Sequence, residues 1–131
     1  MPGIIKNVDC VELYVSDLDE GIAYYRDGLG LKLLWRADTT AGLGMDEGES
    51  EVVLQTVRKR VYADFRVGSV VESLNAIAEA GGRVIDGPFD IPIGKCAVVR
   101  DKWENEYVIL DMTKGRYLTD ADGNVTGVAL E

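Results

Sequence analysis

The sequence predicts an α+β fold in which one supersecondary unit is used twice. Three observations carry this. First, Glu12 to Leu33 (ELYVSDLDEGIAYYRDGLGLKL) lies over Asp64 to Ile85 (DFRVGSVVESLNAIAEAGGRVI) at an offset of 52 residues, without a gap. Val15 meets Val67, Glu20 meets Glu72, and Gly30 meets Gly82. Leu13, Leu18, Ile22 and Leu33 meet Phe65, Val70, Leu74 and Ile85. A repeat this long marks a unit duplicated in space. Second, the apolar period changes within each copy from alternation to helical spacing. Third, each helix opens on a capping signal and closes on glycine. Two such units can close a cleft between them, which is where function is expected.

In order, Asp9 to Val15 alternates and is rich in strand formers. Asp17 with Glu20 three residues on fits an acidic capping box. Ile22, Tyr25 and Leu29 then share a helix face, and Gly28 and Gly30 end the helix. Leu31 to Arg36 reads as a strand, Ala41 to Gly48 as a glycine-rich reversal, and Glu51 to Val57 as another strand. The second copy runs as a strand over Val61 to Val67 and a capping box at Ser69 and Glu72. Val70, Leu74 and Ile77 form its apolar stripe, and Gly81–Gly82 stops it. A strand at Arg83 to Ile85, a turn at Gly87–Pro88, and strands at Cys96 to Arg100 and Glu106 to Met112 complete it. Module one covers about 8–58 and module two about 61–112, within one domain of 131 residues; 113–131 is a hairpin or tail. Asp122–Gly123 between strand-like flanks signals the hairpin. Asp120, Asp122 and Asn124 start like a calcium loop, but its glycine and terminal glutamate are absent from the required positions.

Composition excludes several classes. The net charge of −9 disfavours nucleic acid and anionic membrane surfaces as partners. No apolar run is long enough for a transmembrane helix, and MPGIIKNVDC does not read as a signal peptide. Cys10 and Cys96 lack metal-type spacing, so a reduced cytoplasmic setting is expected. The chain has no histidine. That removes the usual general base and the commonest transition-metal ligand, and with them hydrolytic triads and HExxH sites.

Val15-Ser16-Asp17-Leu18, then Tyr24-Tyr25-Arg26-Asp27 followed by Leu29-Gly30-Leu31, resemble a strand-to-helix junction and the phrase "FYrd-LGf" of the vicinal oxygen chelate superfamily. That superfamily contains glyoxalase I, bleomycin-resistance proteins and extradiol dioxygenases. Gly81-Gly82 and Asp101 to Leu110 resemble its second-half phrase, with Lys102, Trp103 and Glu104 replacing the usual proline, acid and glycine. The match covers about residues 8–112. The resemblance implies two tandem βαβββ modules forming a curled mixed sheet around a cleft, commonly in homodimers. It also implies a divalent metal held by one residue from the first and last strand of each module. Those slots fall here at Cys10, Gln55, Tyr62 and Val108, where family enzymes carry histidine, glutamate or glutamine. Valine coordinates nothing, and a tyrosine phenol is protonated at neutral pH. One thiolate does not make a site. The expectation is therefore no metal and no cofactor.

Alternation places Cys10, Glu12 and Tyr14 on one face. The repeat puts Tyr62, Asp64 and Arg66 on the matching face, joined by Val53, Gln55 and Val57 and by Glu106, Val108 and Leu110. Apolar walls with a few polar groups suit a small organic molecule. Glu12, Asp64 and Glu106 suit a cation, and Arg66 a carboxylate; alternatively, Asp64 and Arg66 pair with each other or with Glu12 across the cleft. Cys10 reads as a small apolar filler. Tyr14 and Tyr62 line a pocket or the core, Tyr25 is core and Tyr24 rim. Trp35 stacks on a flat ligand or makes ordinary packing contacts, such as at a dimer interface; Trp103 is a surface residue. The expected function is metal-independent binding that sequesters an aromatic or cationic compound. One alternative is a lyase, isomerase or dioxygenase-type enzyme using Glu12 or Glu106 as base. The other is a non-catalytic dimerising module.

Overall fold

The computed structural model describes residues 3–130; Met1, Pro2 and Glu131, at the ends of the predicted tails, lie outside the described residues. The chain divides into two compact units. The first comprises Asp9–Tyr62 and Tyr117–Gly127; the second comprises the residues through Val8, Ala63–Arg116, and those from Val128 onward. Both predicted modules are present, with two exchanges at the chain ends. The N-terminal stretch belongs with module two, and the C-terminal turn region with module one. Among the described residues no helix is long and apolar enough to cross a membrane.

Module one contains β1 (Ile5–Tyr14, from Asp9 onward), α1 (Leu18–Ile22), β2 (Lys32–Arg36), β3 (Thr40–Gly44) and β4 (Glu51–Gln55). Its strands lie in the order β2-β3-β4-β1, with β1 and β4 parallel and the other pairs antiparallel. The Asp17 carboxylate accepts the Glu20 N–H at 2.9 Å, as the capping box requires. After Ile22 the helix widens, and Leu29 N–H reaches the Tyr24 carbonyl five residues back at 3.1 Å. That extra residue rotates the chain beyond it. Leu29, predicted on the apolar face, is exposed, and Leu31 packs inward instead. The predicted reversal at Ala41 to Gly48 is in its first half strand β3. Small residues there let a neighbouring side chain lie flat on the sheet.

Module two contains β5 (Tyr62–Val67), α2 (Val70–Glu79), β6 (Arg83–Ile91), β7 (Gly94–Arg100) and β8 (Glu106–Leu110). Their order is β5-β8-β7-β6, with β5 and β8 parallel. Ser69 Oγ accepts the Glu72 N–H at 3.2 Å. The predicted turn at Gly87–Pro88 lies inside β6, which continues to Ile91 past two register shifts. Bulges let a strand carry glycine and proline without ending. Strands β9 (Arg116–Thr119) and β10 (Val125–Ala129) form the predicted C-terminal hairpin. Asp120 closes its turn by accepting the N–H groups of Asp122 and Asn124, so its carboxylate makes an Asx turn.

Each sheet buries one face under its helix. In module one Leu18 and Ile22 pack on Ala41, Leu43 and Leu54, with Leu13, Val15 and Leu33 around them. In module two Val70 and Ile77 pack with Val67, Ala97, Val99 and Ile109. Each such aliphatic side chain contributes about 1.5–3 kcal/mol on burial.

Asp111, just after β8, is 2% exposed and was not singled out by sequence. Its carboxylate accepts the Val70 N–H at the start of α2 and the Lys95 N–H, each at 2.9 Å, and the Thr113 hydroxyl at 2.9 Å. A Cβ on Gly94 would collide with it. Burial pushes its pKa up, but these donors outweigh burial and hold it below the ordinary carboxylate value. A depressed folded pKa contributes stability above the unfolded value, about 3.9, that is lost as pH falls through the folded value. Asp111→Asn is expected to cost about 3 kcal/mol in urea unfolding at neutral pH. The loss relative to the parent should shrink as pH is lowered through the acid range.

Candidate functional site

Strand alternation gives each module a second face, opposite its helix, on which Cys10, Val53, Gln55, Asp64, Val108 and Leu110 are buried. On module one, register places Cys10 beside Glu51, Glu12 beside Val53, and Tyr14 beside Gln55. Gly42 lies beside Val53 and next to Trp35. The predicted set Cys10, Glu12, Tyr14, Val53 and Gln55 thus shares one face. Val57 does not join it: β4 ends at Gln55, and Val57 is exposed beyond it.

The Trp35 indole lies across Gly42, where a Cβ would overlap its Nε1 and the Glu51 carboxylate. Trp35 Nε1 donates to Glu51 Oε1 at 2.7 Å. The Tyr117 ring packs against Trp35 with centroids 5.0 Å apart and planes 34° apart. Backbone contacts fix this arrangement: Arg36 N–H donates to the Gly123 carbonyl at 2.8 Å. Trp35 therefore packs internally along one side, the second of the two roles its sequence position allows. Glu51 and Tyr117 were missed by the sequence reading. Glu51 has the same parity on β4 as Val53 and Gln55, a signal that was available. Tyr117 is far away in sequence and had none.

Burial pushes the Glu51 carboxyl up; the Trp35 N–H pulls it back, and the nearby Asp9 charge adds to the rise. Burial likewise raises Tyr117, with the Glu51 charge adding to it.

Gln55 is committed to a turn. Its Oε1 accepts the N–H groups of Val57 at 2.8 Å and Arg58 at 2.7 Å, and its Nε2 donates to the Arg58 carbonyl. The same loop sets Arg58 and Arg60 over the buried Tyr62 ring, 5.9 and 5.4 Å from its centroid. Lys59 sits 6.0 Å from the Tyr14 ring.

On module two, Asp64 lies beside Val108 and Arg66 beside Leu110. Val98, Cys96 and Arg100 face Val108, Leu110 and Glu106. The predicted residues Asp64, Arg66, Glu106, Val108 and Leu110 share this face. Asp64 and Arg66 do not pair with each other; Arg66 Nε donates to Asn7 Oδ1 at 3.1 Å. Glu106, a candidate base, is ion-paired with Arg100 and its side chain is 7% exposed. A carboxylate held by a guanidinium is poorly placed to take a proton.

The modules also correct the slot assignment. Glu12 and Asp64 are repeat partners, so their neighbours Val53 and Val108 are equivalent, 55 residues apart. Gln55 then corresponds to Leu110. The residues in the implied slots do not fit a divalent metal. Both acceptor positions of the Gln55 amide are used in its turn, Tyr62 lies buried under two guanidinium groups, and Val108 has no donor atom. Among the described residues no group of three His, Cys, Asp or Glu side chains is placed to hold a metal ion.

The family model "Glyoxalase/Bleomycin resistance protein/Dioxygenase superfamily" matches residues 7–126. The chain belongs to this superfamily. Its fold is that of methylmalonyl-CoA epimerase from Mycobacterium tuberculosis: TM-score 0.70 at 15% identity, over 85% of this chain and 91% of that one. A methylmalonyl-CoA epimerase from Streptomyces coelicolor, in complex with 2-nitronate-propionyl-CoA, aligns with TM-score 0.68 at 16% identity, over 82% and 97%. Homoprotocatechuate 2,3-dioxygenase from Brevibacterium fuscum aligns with TM-score 0.63 at 24% identity, over 82% of this chain and 37% of the dioxygenase. No curated protein matches the chain.

Within the glyoxalase-type module, this face of module one offers a partly buried acid beside two aromatic rings. Two outcomes test this arrangement. Gly42→Ala should cost about 2 kcal/mol, because its methyl expels the indole. In a Trp103→Phe background, where Trp35 is the sole indole, it should shift tryptophan emission to the red. In the same background, Trp35 emission should titrate above the ordinary carboxylate range, and Glu51→Gln should abolish that titration. A raised folded pKa gives a contribution fully present below the unfolded value, about 4.3, and lost as pH rises through the folded one. The parent should therefore lose stability over that interval relative to Glu51→Gln.

Proposed function

We propose that this member of the superfamily binds a small organic molecule with a flat aromatic part, and that it does so without a metal ion. The observation that carries the proposal is the state of the last-strand slots. If Val53 and Val108 are the last-strand slots, neither has a donor atom; if Gln55 and Leu110 are, the Gln55 oxygen is spent on two backbone N–H groups. What this face of module one does offer is the exposed part of Trp35 and the partly buried carboxylates of Glu12 and Glu51, beside the buried Val53. Aromatic and apolar surface with few polar groups is the usual composition of a small-molecule site. The cationic alternative loses one of its three acids, since Glu106 is already paired with Arg100.

A second reading has one observation in its favour. Glu51 is a carboxyl that burial pushes up, the property a general acid or base needs near neutral pH. If the module is an enzyme, Glu51 is a better base than Glu12 or Glu106.

A thermal-shift series on chelator-treated protein separates the readings. Nickel, cobalt, manganese, iron and zinc ions are each expected to leave Tm unchanged. Aromatic compounds from a fragment set are expected to raise it, and a ligand at a hundred times its Kd adds about 2.7 kcal/mol. Trp35→Ala should remove that shift. A metal-dependent rise of several degrees would sink the metal-free proposal. A stabilising compound that is also turned over, with turnover lost in Glu51→Gln, would favour the enzyme.

A further inference from the structure

We infer that Arg66 is the anchor of an oxyanion site on the face of module two opposite α2. This goes beyond the aromatic ligand of module one and stands on module two alone. Arg66 is partly buried on β5. Its one side-chain bond is to a neutral group, Nε to Asn7 Oδ1 at 3.1 Å. That bond orients the guanidinium and leaves its Nη groups without a carboxylate partner among the described residues. Among the described residues Arg66 forms no ion pair, although the chain has 23 acids to 14 basic residues. The contrast with other arginines is direct: Arg26, Arg36, Arg83 and Arg100 each reach a carboxylate. Asp64, two residues earlier on the same face, is buried yet makes no ion pair with Arg66.

A guanidinium has five N–H donors, and Asn7 uses one. The Nη groups therefore present the planar fork that matches two oxygens of a carboxylate or phosphoryl group. The neighbours strengthen the match. Register places Leu110 beside Arg66 and Cys96 beside Leu110. That side of the guanidinium is apolar, and the acid on the same face, Asp64, stands two residues away along β5. An oxyanion supplied from outside gives those Nη groups charge-assisted hydrogen bonds that a neutral partner does not. Its source is either a carboxylate or a phosphorylated small molecule.

The test is an NMR titration of the intact protein at constant ionic strength, following the Arg66 Nε–Hε resonance and the Asn7 side-chain amide. The probes are benzoate, inorganic phosphate and chloride. A saturable shift at millimolar benzoate or phosphate, exceeding that with chloride, is expected; the more effective probe names the source. Arg66→Lys, read at the Asn7 amide, should weaken the response about tenfold because an ammonium lacks the fork. No response to either oxyanion overturns the inference, as does an equal response to chloride or an undiminished response in Arg66→Lys. Each of these results leaves the metal-free ligand proposal standing, because that proposal is read through Trp35.

Discussion

The polar-bearing face of each module depends on a geometric constraint: a strand has two faces, and each module spends one of them on its helix. Leu54 and Leu43 in module one, and Ile109 and Val99 in module two, are fully buried on the helix side. Because side chains alternate with period two, their strand neighbours are forced onto the opposite face. Glu51, Val53, Gln55, Cys10 and Glu12 therefore stand together whatever their function. A slip of one residue would move leucines off the helix side and charges under the helix, so register is strongly held. The chemistry of these faces inherits its precision from the cores behind them.

That constraint also explains what was legible in advance. The first strands, both capping boxes, the apolar stripe of α2 and the C-terminal hairpin all announce themselves through local period or turn chemistry. So did the family, through the phrases at Val15–Leu18 and Tyr24–Leu31. What was not legible depends on one-residue irregularities or on distant contacts. The widened turn after Ile22 moved Leu29 out of the face its spacing implied. The bulged β6 absorbed Gly87 and Pro88. The 52-residue repeat holds from the first strand through the helix, but the last strands stand 55 residues apart. Slots carried over separately from a family pattern therefore landed on non-equivalent positions. Asp111, Tyr117 and Asn7 act on partners tens of residues away, and a pattern search along the chain does not pair them.

Two side chains illustrate how a polar residue near a candidate site can be structural. Gln55 occupies a position that in relatives suggests a ligand by resemblance, yet its amide replaces the backbone bonds a tight turn would otherwise leave unmade. Asp111 serves the same end on a larger scale, tying the start of α2 to β7 through a buried carboxylate. Buried N–H groups must find acceptors, and an unmade bond costs more than a made bond gains. Both residues are therefore accounted for by backbone satisfaction.

The acids that open the two last strands show how far the two copies have diverged around a shared position. Glu51 lies beside Cys10, and in module two the residue two before Val108 is Glu106. The two glutamates thus occupy equivalent places. Module one answers its acid with a neutral indole N–H, and module two answers with a guanidinium. A neutral donor leaves burial dominant and the Glu51 carboxyl pushed up. A cationic partner compensates the charge of Glu106 where it stands. The same backbone position therefore holds a proton-responsive group in one copy and a structural ion pair in the other. The partner residues that decide this, Trp35 and Arg100, come from non-equivalent strands, β2 and β7. Duplication supplied the scaffold twice, and substitutions at its neighbouring strands gave the two equivalent glutamates different partners.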